Sequence, residues 1–444
     1  MNSMVSIVMF GWIPAVLVLF LYLPPRRAVI AAFLVAWLFL PLAGFKFGEA
    51  IPRYDKTSAT CVGVLLGMVV FDLRRLQTFR LSWIDLPMLI WCLGRLGSSL
   101  SVDLGFYDGI VSVFYHVLMW VVPYFIGRLY FQTRDDLREL ALGMVIGGLI
   151  YVPLCLFEIR MSPQLYTWVY GFHPIDFRQV IRWGGFRPTV FMQHGLAVGL
   201  WMATTTLVAF WFALTGVVKR LGTVPMWGWF IALLATTILC KSTGAIALLG
   251  LGMATVAGVH FMRSPWPLVL LVALTPAYLT LRIGGLWDGT NAVGWISGNV
   301  GGDRAGSLST RFEQEDDQIQ VALKRPWLGW GGWQQGQDQL WLIEFRNNGF
   351  VALVSMVGAF SIPAMLCCPR SRWRGMSVGT SAAVPLAIIG LLFLLDCLFN
   401  GMMNPVFTLA MGGLGSVLMV RKSAGRKVVN PPRPPRVSQR ALAS

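Results

Sequence analysis

Arginine, aspartate and tryptophan side chains gather in two short stretches of this chain, and their types suit one kind of chemistry. Arg187 stands in GGFRPTVFMQHG, and Arg304 and Arg311 stand in GDRAGSLSTRFEQEDD. A guanidinium offers a planar fork of donors to two oxygens and keeps its charge at any pH, which suits phosphate, and a diphosphate above all. Asp338 follows in QQGQDQLWLIEF, where a carboxylate at the mouth of a cavity can take a proton from a sugar hydroxyl. WLGWGGW supplies Trp330 and Trp333, whose flat faces stack on sugar rings, and Gln339 and His194 are further polar contacts for such a ligand. Plainer roles fit the same residues. The arginines snorkel to headgroups or pair with acids, the tryptophans belong to the interfacial belt, Asp338 is a helix N-cap, and His194 is a hydrogen-bonded structural residue.

Two loops have to position these groups. The first, about 160–190, carries Arg178, Arg182 and Arg187 with Asp176 as its only acid, a local positive excess. The second, about 282–347, is slightly acidic, with six basic and eight acidic residues. Within it Thr310 to Lys324 reads as a surface helix, with Thr310 and Glu313 as a capping box and Phe312, Ile319, Ala322 and Leu323 on one side. Arg311 then falls in the first turn, where a cation opposes the helix dipole, and either the neighbouring acids or a substrate phosphate compensates it. The glycines after Pro326 allow positive φ and close backbone approach. Asp338 opens a last helix that runs through Leu342 and Phe345 into the membrane at Gly349.

Everything around the loops is apolar. With 56% apolar and 13% charged residues and a mean hydropathy of +0.65, the chain reads as a polytopic membrane protein. About thirteen apolar runs recur, near 4–23, 28–45, 59–71, 84–100, 108–126, 141–159, 190–218, 225–240, 244–262, 266–282, 348–368, 379–399 and 405–420. The expectation is an all-α fold with one membrane domain over 1–420 and a basic, disordered tail over 421–444. The net charge of +16 follows topology rather than nucleic acid: about 21 of the 36 basic residues fall on one side when the C-terminus is cytoplasmic and the N-terminus outside. All seven cysteines lie in or at the edge of apolar runs, and no Cys/His metal spacing occurs, so neither a disulfide framework nor a metal or other cofactor is expected.

Four stretches together resemble the O-antigen ligase and polysaccharide polymerase superfamily of bacterial surface-glycan assembly. They are PYFIGRLYFQTRDDLREL (123–140), GGFRPTVFMQHG (184–195), KSTGAIALLG (241–250) and the block over 302–333 followed by DQLWLIEFRNNGF (338–350). The resemblance implies a GT-C-like helical fold in the inner membrane, a large periplasmic loop and no required metal. It implies a glycan on a polyprenyl diphosphate carrier as donor and a glycan or lipid-linked glycan as acceptor, with membrane lipids and other polysaccharide-assembly proteins as partners. By motif, Arg187 and Arg311, with Arg304 in addition, correspond to the diphosphate-holding arginines. Ligases of the superfamily usually carry a His-Asn motif where this chain has Asp338 and Gln339, which favours a polymerase, or another transferase of the superfamily that relies on Asp338 or on arginines alone, over attachment to a lipid A core.

Two other classes compete. A flippase for lipid-linked glycans would place ionisable residues near the bilayer midplane, whereas here the helices hold few, with Arg95, Glu158 and Asp396 near predicted ends. A non-enzymatic subunit of a polysaccharide export system would not need its loop arginines.

Overall fold

The computed structural model describes residues 3–48, 52–299, 302–332, 339–366 and 381–424. The apolar runs form helices because hydrocarbon offers the backbone no other partner. In chain order they are α1 (Ser3–Tyr22), α2 (Pro25–Phe39), α3 (Lys56–Phe71), α4 (Leu86–Ser101), α5 (Phe106–His116), α6 (Val122–Tyr130), α7 (Arg134–Met161), α8 (Leu165–Tyr170), α9 (Gly195–Thr215), α10 (Met226–Leu239), α11 (Thr243–Met262) and α12 (Trp266–Ile283). They continue as α13 (Thr290–Asn299), α14 (Gly302–Leu323), α15 (Leu340–Met365), α16 (Ala383–Asp396) and α17 (Pro405–Ala424). A π turn, Val117–Val121, joins α5 to α6 as one span. Among the described residues, sheet is limited to two-residue hairpins, β1 (Ile181–Arg182) with β2 (Gly185–Phe186) and β3 (Arg220–Leu221) with β4 (Val224–Pro225).

Among the described residues, seven helices are long and apolar enough to cross a membrane, and four shorter apolar helices accompany them. The chain is an all-α membrane protein. The thirteen apolar runs thus resolve into these eleven helices together with α2 and α4, of 15 and 16 residues.

Helices α9 and α16 are buried along nearly their whole length and form the centre of the bundle. Helices α6 and α17 meet backbone to backbone at glycine. A Cβ on Gly127 would lie 2.0 Å from the Leu409 carbonyl oxygen, and one on Gly412 2.0 Å from that of Tyr124. Small residues at such a crossing permit the close approach that drives helix association in lipid. Helices α4 and α15 are joined instead by charge: Arg95 meets Glu344 at 2.5 Å with both side chains buried. Removing one partner of such a pair costs about 3–5 kcal/mol, since it strands the other charge.

Contacts sort the helix ends into two groups. At one end Arg26 bonds Asp136 and Glu139, and Arg128 bonds Asp85 and Ser416. At the other, both polar loops pack on the ends of α4, α7, α9, α12 and α15 and on the connection between α16 and α17.

Candidate functional site

The first loop is fastened by one buried acid. Glu158, in the last turns of α7, accepts hydrogen bonds from the backbone N–H of Thr189 (2.8 Å), Val190 (2.8 Å) and Leu165 (3.2 Å). Val190 has φ 47°, an unusual value for a β-branched residue, and the carboxylate holds it there. The same segment carries Arg187, which is therefore fixed at both ends of its turn: its N–H donates to Val180, and Nη2 donates to the Lys241 carbonyl at 3.1 Å. Lys241, between α10 and α11, donates through Nζ to the carbonyls of Arg182 (3.3 Å) and Trp183 (3.4 Å), so it grips the β1–β2 hairpin from beneath. Gly195 makes room for the Arg187 stem, because a Cβ there would lie 2.2 Å from Arg187 Cδ. His194 is the N-cap of α9: Nδ1 accepts from Leu196 N–H at 3.0 Å, and Nε2 contacts Gln179 at 3.2 Å. Of the other loop arginines, Arg178 is exposed and paired with Asp176 at 2.7 Å, and its hydrogen bonds pull the Asp176 carboxyl below its ordinary range.

In the second loop the expected helix exists but starts earlier. Helix α14 begins at Gly302, so Thr310 is an interior residue whose hydroxyl donates to the Gly306 carbonyl, and Glu313 accepts from Ser309 rather than closing a capping box. No proline or chain reversal interrupts 302–310, and the helix simply continues through it. Arg311 therefore does not oppose the dipole in a first turn, and that reason for a bound anion falls away. The buried face is Phe312, Glu315, Ile319 and Ala322, packed against the bundle, while Leu323 is exposed. Glu315 is the clamp. It accepts from Tyr278 Oη at 2.9 Å and meets Arg282 Nε at 3.4 Å, while Arg282 Nη2 reaches Asp316 at 2.8 Å. Burial pushes the Glu315 carboxyl up, and the Arg282 charge and the Tyr278 hydrogen bond pull it back.

The glycine-tryptophan run is knitted into a break in α15. At Gly349 (φ 69°, ψ −167°) the helix ladder opens, and the run supplies the missing partners. Trp330 and Gly331 donate to the carbonyls of Arg346 (3.0 Å) and Asn347 (2.8 Å), while Phe350 and Val351 donate to those of Pro326 (2.7 Å) and Trp327 (3.3 Å). Gly329 and Gly331 hold the positive φ this requires. Trp330 Nε1 donates to the Val321 carbonyl at 2.9 Å, and Arg325 covers one of its ring faces at 5.0 Å. Gly349→Ala should be severely destabilising, since its Cβ would lie 2.2 Å from the Trp327 oxygen at a φ that alanine avoids. A loss of about 3 kcal/mol is expected, seen as a lowered melting temperature in detergent. Gly250→Ala, with nothing within 4 Å, is the neutral control. Equal melting of the two variants would contradict the account of the break.

Both loops converge on the connection 397–404. Gln193 Nε2 donates to Met402 Sδ at 3.1 Å. Leu340 N–H donates to the Asn400 carbonyl at 3.2 Å, and Trp341 Nε1 to that of Leu398 at 3.2 Å, so the start of α15 rests on the same turn. Asn400 Nδ2 donates to Asp396 Oδ1 at 2.8 Å, and the Arg311 charge acts on this buried carboxyl. Arg311 is half-buried and makes no ion pair among the described residues. Gln339 is buried at the N-cap position of α15. Trp333, Asp338 and the side chain of Arg304 lie outside the described residues.

Sequence reasoning did not assign Glu158, Lys241, Asp396 or Asn400 to the site. For the two acids a signal existed, since carboxylates are rare in apolar runs and need a reason there. The described residues hold no cluster of His, Cys, Asp or Glu that could bind a metal. No protein-family model matches the chain, and no curated protein matches its sequence.

Proposed function

We propose that the chain is a membrane transferase that joins a glycan carried on polyprenyl diphosphate to a sugar hydroxyl, as a surface-polysaccharide polymerase rather than a lipid A-core ligase. One observation carries the reading. The Gln193 end of the Arg187 loop and the start of α15 meet at one short turn, although their positions in sequence are far apart, and the Arg311 charge acts on the Asp396 carboxyl at the head of that turn. In this reading the helices form a GT-C-like scaffold in a bacterial inner membrane. The loops face the periplasm, with the N-terminus outside and the C-terminus cytoplasmic, because the basic residues crowd the opposite end.

The acceptor oxygen attacks the anomeric carbon, the bond from that carbon to the diphosphate oxygen breaks, and the diphosphate leaves on its lipid with the bonding pair. Charge grows on the leaving oxygens, so Arg187 and Arg311 stabilise the transition state more than the bound donor. Asp338 takes the acceptor's proton. Arg304, Trp330, Trp333, Gln339 and His194 are assigned to the diphosphate and the sugars around it. The internal charge of α4 and α15 is already paired, which leaves less for a transporter to use.

Asp338→Asn keeps the shape of the side chain but cannot accept a full proton. Glycan chain formation in cells should collapse in this variant while membrane insertion stays normal. Polymer of ordinary length and yield would remove Asp338 from the reaction.

A further inference from the structure

A second polar site lies at the basic end, away from both loops. A cleft of ≈ 310 Å³ opens there, lined by Pro24, Pro25, Arg26, Arg27, Arg75 and Glu139. Its position follows from the chain: α1 ends at the exposed Tyr22, Pro24 and Pro25 restart the helix as α2, and α2 has no side-chain cap. A cleft between two such helix ends lies at headgroup depth, where an amphipathic tyrosine also settles.

The charges in the cleft select what it can hold. Arg26 is paired with Asp136 (2.5 Å) and Glu139 (3.3 Å), and Arg75 is fixed by Asp72 (2.8 Å) and by stacking over Tyr130 at 4.9 Å. Arg27 reaches Glu139 through Nε alone, at 2.5 Å, and its two Nη groups make no hydrogen bond among the described residues. Asp72, Asp136 and Glu139 match the three arginines in number, so the cluster is nearly neutral and a simple anion gains little from it. A ligand with a phosphate and an amine gains at both ends: the guanidinium edges not taken by acids donate to the phosphate oxygens, and Glu139 in the same wall accepts from the ammonium. We infer that this cleft binds the headgroup of an aminophospholipid, with the phosphate diester on Arg27 and Arg75 and the ammonium on Glu139. The inference does not depend on the glycan reading, because it uses the opposite end of the bundle.

Native mass spectrometry of the purified full chain tests it, with short-chain phosphatidylethanolamine, phosphatidylglycerol or inorganic phosphate added in turn. The wild type should retain phosphatidylethanolamine in preference to phosphatidylglycerol. Arg27→Gln should weaken that retention about tenfold, as expected for one charge-assisted bond. Glu139→Gln should retain both lipids alike. Arg27 is largely exposed, and an unchanged melting temperature of Arg27→Gln in detergent shows that the fold is intact. Undiminished phosphatidylethanolamine retention by Arg27→Gln, or equal retention of both lipids by the wild type, overturns the assignment. So does capture of inorganic phosphate in place of lipid.

Discussion

Glu158→Gln should release the first loop from the bundle and abolish function with it. The carboxylate accepts three backbone N–H bonds, two of them at 2.8 Å, and a glutamine presents an NH2 group to at least one of those donors. Each buried donor left unsatisfied costs roughly 1–3 kcal/mol, and the charge assistance of the remaining bonds is lost as well. A total near 3 kcal/mol is expected, enough to free the 165–190 segment without unfolding the helices. Limited proteolysis should then cut within 165–190, where the wild type resists, while the membrane bundle survives. A variant as resistant as wild type would show that the loop is held by its apolar contacts instead.

Arg311→Lys and Arg187→Lys should each slow glycan transfer by about one to two orders of magnitude, the effect of losing one or two charge-assisted bonds from a bidentate fork. The loss should fall on kcat more than on KM, because the leaving diphosphate gains charge only as the bond breaks. The two variants differ in their structural cost. Arg311 makes no ion pair among the described residues, so its lysine variant should melt like wild type, whereas Arg187→Lys also forfeits the bond to the Lys241 carbonyl and should lose a little stability. A rise in KM alone would make the arginines simple binding groups.

The membrane class and most helices were legible in the sequence because hydrocarbon leaves so few options for the backbone, and an apolar run can only become a helix. The amphipathic face of α14 was legible too, since Phe312, Ile319 and Ala322 recur at helical spacing. Its start was not. A capping box at Thr310 is a four-residue pattern, and nothing within four residues tells whether the helix continues upstream to Gly302. The break at Gly349 was equally hidden, because the groups that repair it come from 326–331 and the pairing is tertiary. Glu158 and Asp396 were visible as rare acids, but their partners, the N–H groups of Thr189 and Val190 and the charge of Arg311, lie 31, 32 and 85 positions away. The contact of Gln193 with Met402 spans 209 positions and leaves no mark in local spacing.

Covalent transfer from a diphosphate carrier can be followed in a reconstituted reaction. The purified chain in vesicles would receive a fluorescent glycan on polyprenyl diphosphate and a free glycan acceptor, and both products would be separated by chromatography. The account predicts a lengthened glycan and one equivalent of released polyprenyl diphosphate per transfer, with both signals reduced together in Arg311→Lys. Movement of the intact lipid-linked glycan across the bilayer with no polyprenyl diphosphate released would contradict it and make the chain a transporter.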